Sequence, residues 1–250
     1  MKKFTFLVAA ILAAGVTKAT PVGNQNEAKE VTNQFVINSS FEKDELKETD
    51  KVTNASDGLR GYKISAPSGW GISGTSVTSL LVTKDCYTDN NFGKVTSNAD
   101  GNKSYYLRQG WTNGSTTLQQ TLKNLPVGKY KLTADVRSAY ANSATSSFSL
   151  FANKESTSAT FSKGSASCFP SMGWTTQEVT FMVEEASDVN VGITVNWVSG
   201  GSCINIDNVR LYQLPISYVE PEAPTEITVE SPTEGVINNQ FVEEQDMKND

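Results

Sequence analysis

Residues 117–138, "TLQQTLKNLPVGKYKLTADVRS", constrain the fold most strongly, because apolar and polar residues alternate on both sides of a Pro/Gly turn. Alternation with a period of two places every second side chain on the same face of a β-strand. The pattern therefore predicts two strands joined by a short loop at Pro126–Gly128. The side chains predicted to face a core are Leu118, Leu122, Tyr130, Leu132, Ala134 and Val136.

Similar short runs recur along the chain and predict about ten strands, and no helix, between residues 33 and 214. The first predicted strand is "QFVINSSFE", residues 34–42. Many short antiparallel strands separated by turns are typical of a sandwich or a jelly roll. We therefore predict an all-β domain over residues 33–214, with the architecture of an antiparallel β-sandwich of the jelly-roll type.

Residues 1–19 have the pattern of a signal peptide. Lys2 and Lys3 precede the apolar run "FTFLVAAILAAG", and small residues lead to a cleavage point after Ala19. No cysteine follows the run at once, so a lipid anchor is not indicated, and we expect a secreted, periplasmic or cell-surface protein. Residues 20–32 are polar and are predicted to form a flexible lead-in. No run reaches the ~18 apolar residues that a membrane-spanning helix needs.

The C-terminal part of the chain differs in amino-acid composition from the predicted domain. Residues 215–235 hold half of the eight prolines, and proline without periodicity keeps a chain extended, so this segment is predicted to be a linker. Beyond it, "VINNQF" repeats the "VINSSF" that begins at Val36. Residues 236–250 are predicted to begin a second, truncated module, and the alternative is a coincidental match in a disordered tail. A downstream module or a catalytic domain is the expected partner.

Charge and composition exclude several classes of function. The net charge is −6 and no basic cluster is present, which argues against a nucleic-acid partner. The chain contains no histidine, so neither a Ser-His-Asp nor a Cys-His catalytic group can form. We expect no enzymatic activity, because no acidic residue lies in a stretch that marks it as catalytic. The acids considered are Asp85, Asp89, Asp100 and Asp135.

The chain has three cysteines, Cys86, Cys168 and Cys203, and their spacing is unlike that of a zinc motif. In an oxidising compartment one pair of these cysteines could form a disulfide, which would leave the third as a free thiol. A disulfide between Cys168 and Cys203 is one hypothesis, because both residues come just before predicted late strands. Spacing alone does not show whether the two Cα atoms lie close enough.

Four segments occur in an order that resembles a known family. They are "VINSSFE", "SGW", "LQQTLKNLPVGKYKLTADVR", and the final "GWTTQEVTFMV … VNVGITV … CINIDNVRLY". Over residues 36–214 the chain resembles carbohydrate-binding modules with a galactose-binding-like jelly roll, as attached to secreted glycoside hydrolases. The resemblance implies an oligosaccharide or polysaccharide ligand. It also implies a structural calcium ion held by Glu42, Asp207 and backbone carbonyls. The alternative is an exposed Glu42 and an Asp207 that caps a turn.

The sequence around each of the four tryptophans predicts whether its side chain is buried or available to a ligand. Trp70 and Trp174 match aromatic core positions of the resembled family and are expected to be buried. Trp111 and Trp197 lie in stretches rich in Gly, Asn and Ser, and they are predicted to stack against sugar rings. The residues predicted to donate and accept hydrogen bonds beside them are Arg108, Gln109, Asn113 and Asn196, and weaker aromatic candidates are Tyr105, Tyr106 and Tyr140.

The leading interpretation is a non-catalytic carbohydrate-binding module that stacks sugars on aromatic rings and forms hydrogen bonds to them. The alternative is a structural or adhesion spacer of a secreted protein, without a sugar site. Exposure of Trp111 or Trp197 would favour binding, and burial of both would favour the spacer.

Overall fold

A computed structural model describes most of the predicted domain. The described residues are 27–54, 58–86, 97–109, 111–141, 146–160, 174–199 and 202–215. They all belong to one unit, Met1–Tyr218. The predicted signal peptide, the linker beyond residue 215, the repeated tail and Cys168 lie outside the described residues. No helix among the described residues is long and apolar enough to cross a membrane.

Strands make up nearly all of the described secondary structure. In chain order the elements are β1 (Lys29–Glu30), α1 (Thr32–Phe35), a 3-10 helix (Glu48–Asp50), β2 (Lys51–Asn54), β3 (Gly58–Lys63), β4 (Gly71–Gly74), β5 (Thr78–Val82), β6 (Ser104–Gln109), β7 (Gly114–Leu125), β8 (Gly128–Ala141), β9 (Ser147–Ala152), β10 (Glu155–Thr160), β11 (Thr175–Val183), β12 (Ser187–Trp197) and β13 (Ser202–Gln213).

The strands form two antiparallel sheets. One sheet has the order β11-β8-β13-β6-β5-β3-β2, with β1 added beside β13, and the other has the order β10-β9-β12-β7-β4. The predicted all-β antiparallel sandwich is confirmed. The loop at Pro126–Gly128 joins β7 in the second sheet to β8 in the first, so the two strands predicted from the alternating stretch lie in different sheets.

The main core is built by residues of both sheets. All six side chains predicted to face it are buried, with at most 3% of their surface exposed. Leu118 and Leu122 come from β7, while Tyr130 and Leu132 come from β8. Strand alternation therefore placed the side chains correctly, because each strand of a sandwich has one face against the core.

The predicted first strand over residues 34–42 is wrong. The segment begins inside the short helix α1 and continues through turns, and two of its residues, Asn38 (φ 54°) and Phe41 (φ 58°), have left-handed backbone conformations. Two left-handed residues only three positions apart interrupt the extended backbone that a strand requires. The Asn38 side chain stabilises the turn, because its Oδ1 accepts a hydrogen bond from the Lys43 N–H at 2.9 Å.

The predicted flexible lead-in is structured from Lys29 onward. Strand β1 pairs with the end of β13, where Lys29 lies opposite Gln213. Thr32 is fully buried, and its hydroxyl accepts a hydrogen bond from the Leu211 N–H at 2.9 Å. The domain therefore begins a few residues before the predicted boundary at residue 33, because this segment supplies hydrogen bonds to the last strand.

A second, smaller apolar cluster is separate from the main core. Its buried members are Leu80, Val82, Cys86, Tyr106 and Cys203. Two of the three cysteines are thus buried in the same cluster, and burial raises the pKa of the Cys86 thiol. The hypothesis of a Cys168–Cys203 disulfide stays a prediction, because Cys168 lies outside the described residues.

The close packing of β12 against β7 predicts that Gly192 cannot be replaced. A Cβ atom at Gly192 would lie 2.1 Å from the Leu118 carbonyl oxygen, whereas a Cβ at Gly71 would meet only the Gln119 oxygen, at 3.8 Å. We expect Gly192→Ala to lower the free energy of unfolding by about 2–3 kcal/mol, because the strands must separate. Chemical denaturation measures this loss.

Gly71→Ala is the matched control, since Gly71 and Gly192 lie opposite the same residue, Gln119, on the two neighbouring strands. Its free energy of unfolding should stay within about 0.5 kcal/mol of the parent. Equal losses for the two variants would contradict the strand register described above.

Candidate functional site

An exposed tryptophan marks the loop between β6 and β7. The side chain of Trp111 is 76% exposed, the largest exposure of any large hydrophobic residue described. The backbone around it is held by the segment after β12, because the Ser199 hydroxyl donates to the Trp111 carbonyl at 3.1 Å and the Ser199 N–H donates to Asn113 Oδ1 at 2.6 Å. Val198, beside Ser199, is also exposed. An apolar ring is thus presented to solvent from an anchored loop.

A shallow cleft of about 340 Å³ is lined in part by residues that come shortly before Trp111 in the sequence. It is lined by Arg108 and Gln109 at the end of β6 and by the segment Ser76–Thr78 between β4 and β5. The Gln109 side chain donates from Nε2 to the Ser76 carbonyl at 2.6 Å, which ties the two walls together. The cleft therefore offers a guanidinium, an amide and hydroxyl groups, which are the polar groups that a sugar needs.

Segment Ser76–Thr78 was not predicted as part of a site. It also forms one wall of a larger open cleft of about 480 Å³, which is lined further by Lys63, Ser65 and neighbouring residues of β4 and β5. The only signal in the sequence was the polar composition of "GTSVTS", residues 74–79. Loops of such composition are common, so the run alone did not distinguish a wall of a cleft from an ordinary connection.

The prediction that Trp197 stacks against a ligand is wrong. Trp197 is only 2% exposed, belongs to the main core, and donates from Nε1 to the Thr116 hydroxyl at 2.8 Å. Its neighbour Asn196 points to the opposite face of β12, where it is exposed and donates to the Ser147 hydroxyl at 3.4 Å. Alternation along the strand thus separates the two residues that the sequence had grouped.

The weaker aromatic candidates are also buried. Tyr105 and Tyr106 have no exposed surface and contact the two different apolar clusters. The Tyr105 hydroxyl lies 2.5 Å from the Ser79 hydroxyl, and burial raises the pKa of Tyr105 to about 12. The side chain of Tyr140 lies outside the described residues. Neither described tyrosine is available for stacking.

The expected burial of Trp70 is confirmed. Its side chain is 8% exposed, belongs to the main core, and donates from Nε1 to the Asn38 carbonyl at 3.3 Å. The ring also packs against Phe41, with the ring centres 5.9 Å apart. Trp70 therefore supports the turn that holds the "VINSSFE" signature.

Trp174 is only partly buried, which corrects the expectation of a core residue. Its ring covers the guanidinium of Arg137, whose Cζ lies 5.6 Å from the ring centre, and both side chains donate to the Ser97 carbonyl. Arg137 is 2% exposed, and burial lowers the pKa of its guanidinium. An aromatic face stabilises such a cation, so Trp174 shields a buried charge and does not fill the core.

Glu42 and Asp207 bind the same loop, which connects to β6. Asp207 Oδ2 accepts hydrogen bonds from the backbone N–H groups of Ala99 and Asp100, both at 2.9 Å. Further along the same loop, the backbone N–H groups of Asn102 and Lys103 donate hydrogen bonds to Glu42 Oε1, at 2.7 and 2.6 Å. The two acids that the resemblance brought together are therefore close in structure, but they bind backbone amides.

These residues do not fit a calcium ion. Asp207 is fully buried, and its carboxyl already accepts hydrogen bonds from three backbone N–H groups. The Lys103 ammonium donates to the carbonyl oxygens of Glu42 and Asp44, at 2.9 and 2.5 Å. Among the described residues no three His, Cys, Asp or Glu side chains cluster as metal ligands would. Calcium prefers six to eight oxygen ligands, and here a cation already uses two of the carbonyls.

Solved structures similar to this chain include carbohydrate-binding modules. TmCBM61, solved with β-1,4-galactotriose, is 15% identical and has a TM-score of 0.47; the match covers 72% of this chain and 97% of that one. The family 11 module from Clostridium thermocellum, in complex with a β-1,3-1,4-mixed-linked tetrasaccharide, is 13% identical with a TM-score of 0.39, covering 59% of this chain and 90% of that one.

A cyclase from Fischerella sp. TAU is also similar, with 16% identity and a TM-score of 0.49, covering 76% of this chain and 98% of that one. No protein family's sequence profile matches the chain. No curated protein sequence matches it either.

The hydrogen bond between Trp197 and Thr116 predicts a measurable coupling. Replacing Trp197 by Phe removes the Nε1 donor, and replacing Thr116 by Val removes the acceptor. Because both groups are buried, the interaction energy from a double-mutant cycle should be about 1 kcal/mol, measured by chemical denaturation. A coupling energy near zero would show that the indole is not bonded as described.

Burial raises the pKa of Asp207 to about 8, although backbone hydrogen bonds oppose that rise, and this shift predicts how stability depends on pH. The folded protein keeps this proton up to about pH 8, whereas the unfolded chain loses it above 3.8. The unfolded state therefore binds fewer protons in that window, and the free energy of unfolding falls as the pH rises through it. In Asp207→Asn the decline should be shallower, because an amide does not titrate.

Asp188→Asn is the control for this pH series. Asp188 is exposed, and its pKa is lowered by the hydrogen bond from Lys123, so it is ionised across the same window. Its thermal melting points should follow the parent's slope. A parent slope that Asp207→Asn leaves unchanged would assign the pH dependence to other groups.

Proposed function

We propose that this chain is a secreted, non-catalytic carbohydrate-binding module. The observation that carries the proposal is the exposed ring of Trp111, presented by a loop whose backbone is tied to Ser199. A ligand that covers the exposed ring gains free energy, because removing apolar surface from water is favourable. A pyranose ring has an apolar C–H face of matching size that could supply the missing contact.

Polar groups close to Trp111 in the sequence would give the contact its direction. Arg108 and Gln109 line the cleft of about 340 Å³ with the hydroxyls of Ser76 and Thr78, and Asn113 lies two residues after Trp111. A few fixed donors and acceptors beside an apolar surface are typical of small-molecule sites. Sugar hydroxyls both donate and accept hydrogen bonds, so this mixture suits a neutral oligosaccharide or polysaccharide.

The contacts of the acidic residues support a non-catalytic role. Asp100 accepts hydrogen bonds from Ser40 and Arg210, and Asp135 accepts from Thr176 and Asn208. Both carboxylates thus hold structure together. A glycosidase needs a pair of carboxylates across a cleft, and neither described cleft is lined by an acid. Bound to a glycan, the module would keep a neighbouring catalytic domain or second module near its substrate.

The proposal predicts that Trp111→Ala weakens glycan binding. Affinity gel electrophoresis of the full chain against a panel of soluble polysaccharides should show retardation by at least one of them. Trp111→Ala should bind that polysaccharide about tenfold more weakly, because the stacking surface is lost. Its melting point should stay close to the parent's, since the ring is 76% exposed.

Met182→Ala is the matched control, because Met182 on β11 is 61% exposed and lies on a strand outside the candidate site. It should be retarded as the parent is. If no polysaccharide retards the parent, or if the Trp111 and Met182 variants bind equally, the proposal is wrong. Lack of binding to any glycan would favour the structural or adhesion spacer.

A further inference from the structure

Lys103, the residue before β6, binds a distant turn through its ammonium group. It donates to two backbone carbonyls from a segment sixty residues away, Glu42 O at 2.9 Å and Asp44 O at 2.5 Å. The Lys103 backbone N–H also donates to Glu42 Oε1, at 2.6 Å. One residue therefore binds the turn after Phe41 with both its backbone and its side chain.

The carbonyls that receive the ammonium are held in place by other contacts. The Asp44 carboxylate accepts hydrogen bonds from the Asn38 side chain at 2.6 Å and from the Ser68 hydroxyl at 2.5 Å. The Glu42 carboxylate accepts two backbone N–H groups of the loop before β6. The turn that carries the two carbonyls is thus also held by contacts that do not involve the lysine side chain.

Two converging backbone carbonyls form an environment of negative potential that favours a cation. A divalent metal would require several more oxygen ligands at 2.3–2.6 Å. An ammonium group has three donors and one charge, so it can be satisfied by fewer oxygens. Because the ammonium group is covalently part of the chain, folding places it in the turn, and its presence there does not depend on the concentration of a metal ion.

We propose that Lys103 is a built-in cation that replaces a structural metal ion, so that this turn is stable without calcium. The proposal concerns the fold's independence of metal and goes beyond the proposed glycan binding. It is compatible with the contacts of Glu42 and Asp207, the calcium ligands implied by the resemblance, because both side chains bind backbone amides of the same loop. It assigns a specific role to a lysine that the sequence did not mark.

The first test uses the unmodified full chain. The protein is dialysed against chelator and its melting point is compared in chelator and in millimolar calcium, with native mass spectrometry of the calcium sample. We expect equal melting points and no stoichiometric calcium. A melting point that falls in chelator, or one calcium ion bound per chain, would overturn the proposal without any variant.

The second test removes the charge and keeps the aliphatic stem. Lys103→Met should lower the melting point by about 5 °C, because two carbonyls lose a charged donor in the folded state. Lys123→Met is the matched control: Lys123 is exposed and forms a surface ion pair with Asp188 at 2.7 Å, so its loss should cost about 1 °C. Equal shifts in the two variants would show that Lys103 is an ordinary surface lysine.

Discussion

The polar structure of this sandwich depends on the buried carboxyl of Asp207. It lies on β13, a strand that pairs with β1, β6 and β8 in the larger sheet. From there it binds the backbone of Ala99 and Asp100, and the same loop then presents the amides of Asn102 and Lys103 to Glu42. Three segments that are far apart in sequence are thereby joined through backbone groups that would otherwise need water. Buried polar groups are stable only when they are bonded in this way.

Strand alternation explains which parts of the molecule could be predicted from sequence. The six core residues of β7 and β8 followed from it directly. The same rule contained the answer for Trp197, because the apolar residues Val189, Val191, Ile193 and Val195 all precede it at intervals of two. The polar neighbourhood "VNWVSGG" suggested a loop, but the period placed the ring inside. Composition was a poorer guide than period wherever the two disagreed.

The rest of the site could not be predicted because it depends on contacts between distant residues. The left-handed conformations of Asn38 and Phe41 are stabilised by partners as far away as Trp70 and Tyr105, which pack on them or bond to them. The role of Trp174 depends on a buried guanidinium, and a lone arginine in a strand pattern gives no sign of burial. Trp111, predicted as a ligand contact, is exposed, and its stacking against a sugar stays a prediction.

The recurrence of "VIN..F" at the C-terminus has a different meaning once residues 36–41 are known to form a turn. Its shared residues are those that shape the turn, Asn38 and Phe41, matched by Asn238 and Phe241. Position 242 carries Val where Glu42 stands in the first copy. The contact between the Glu42 carboxylate and the amides of Asn102 and Lys103 therefore has no counterpart in the sequence of the repeat. In residues 36–41 the motif forms a turn, and the loop that attaches this turn to the sheet lies outside the motif.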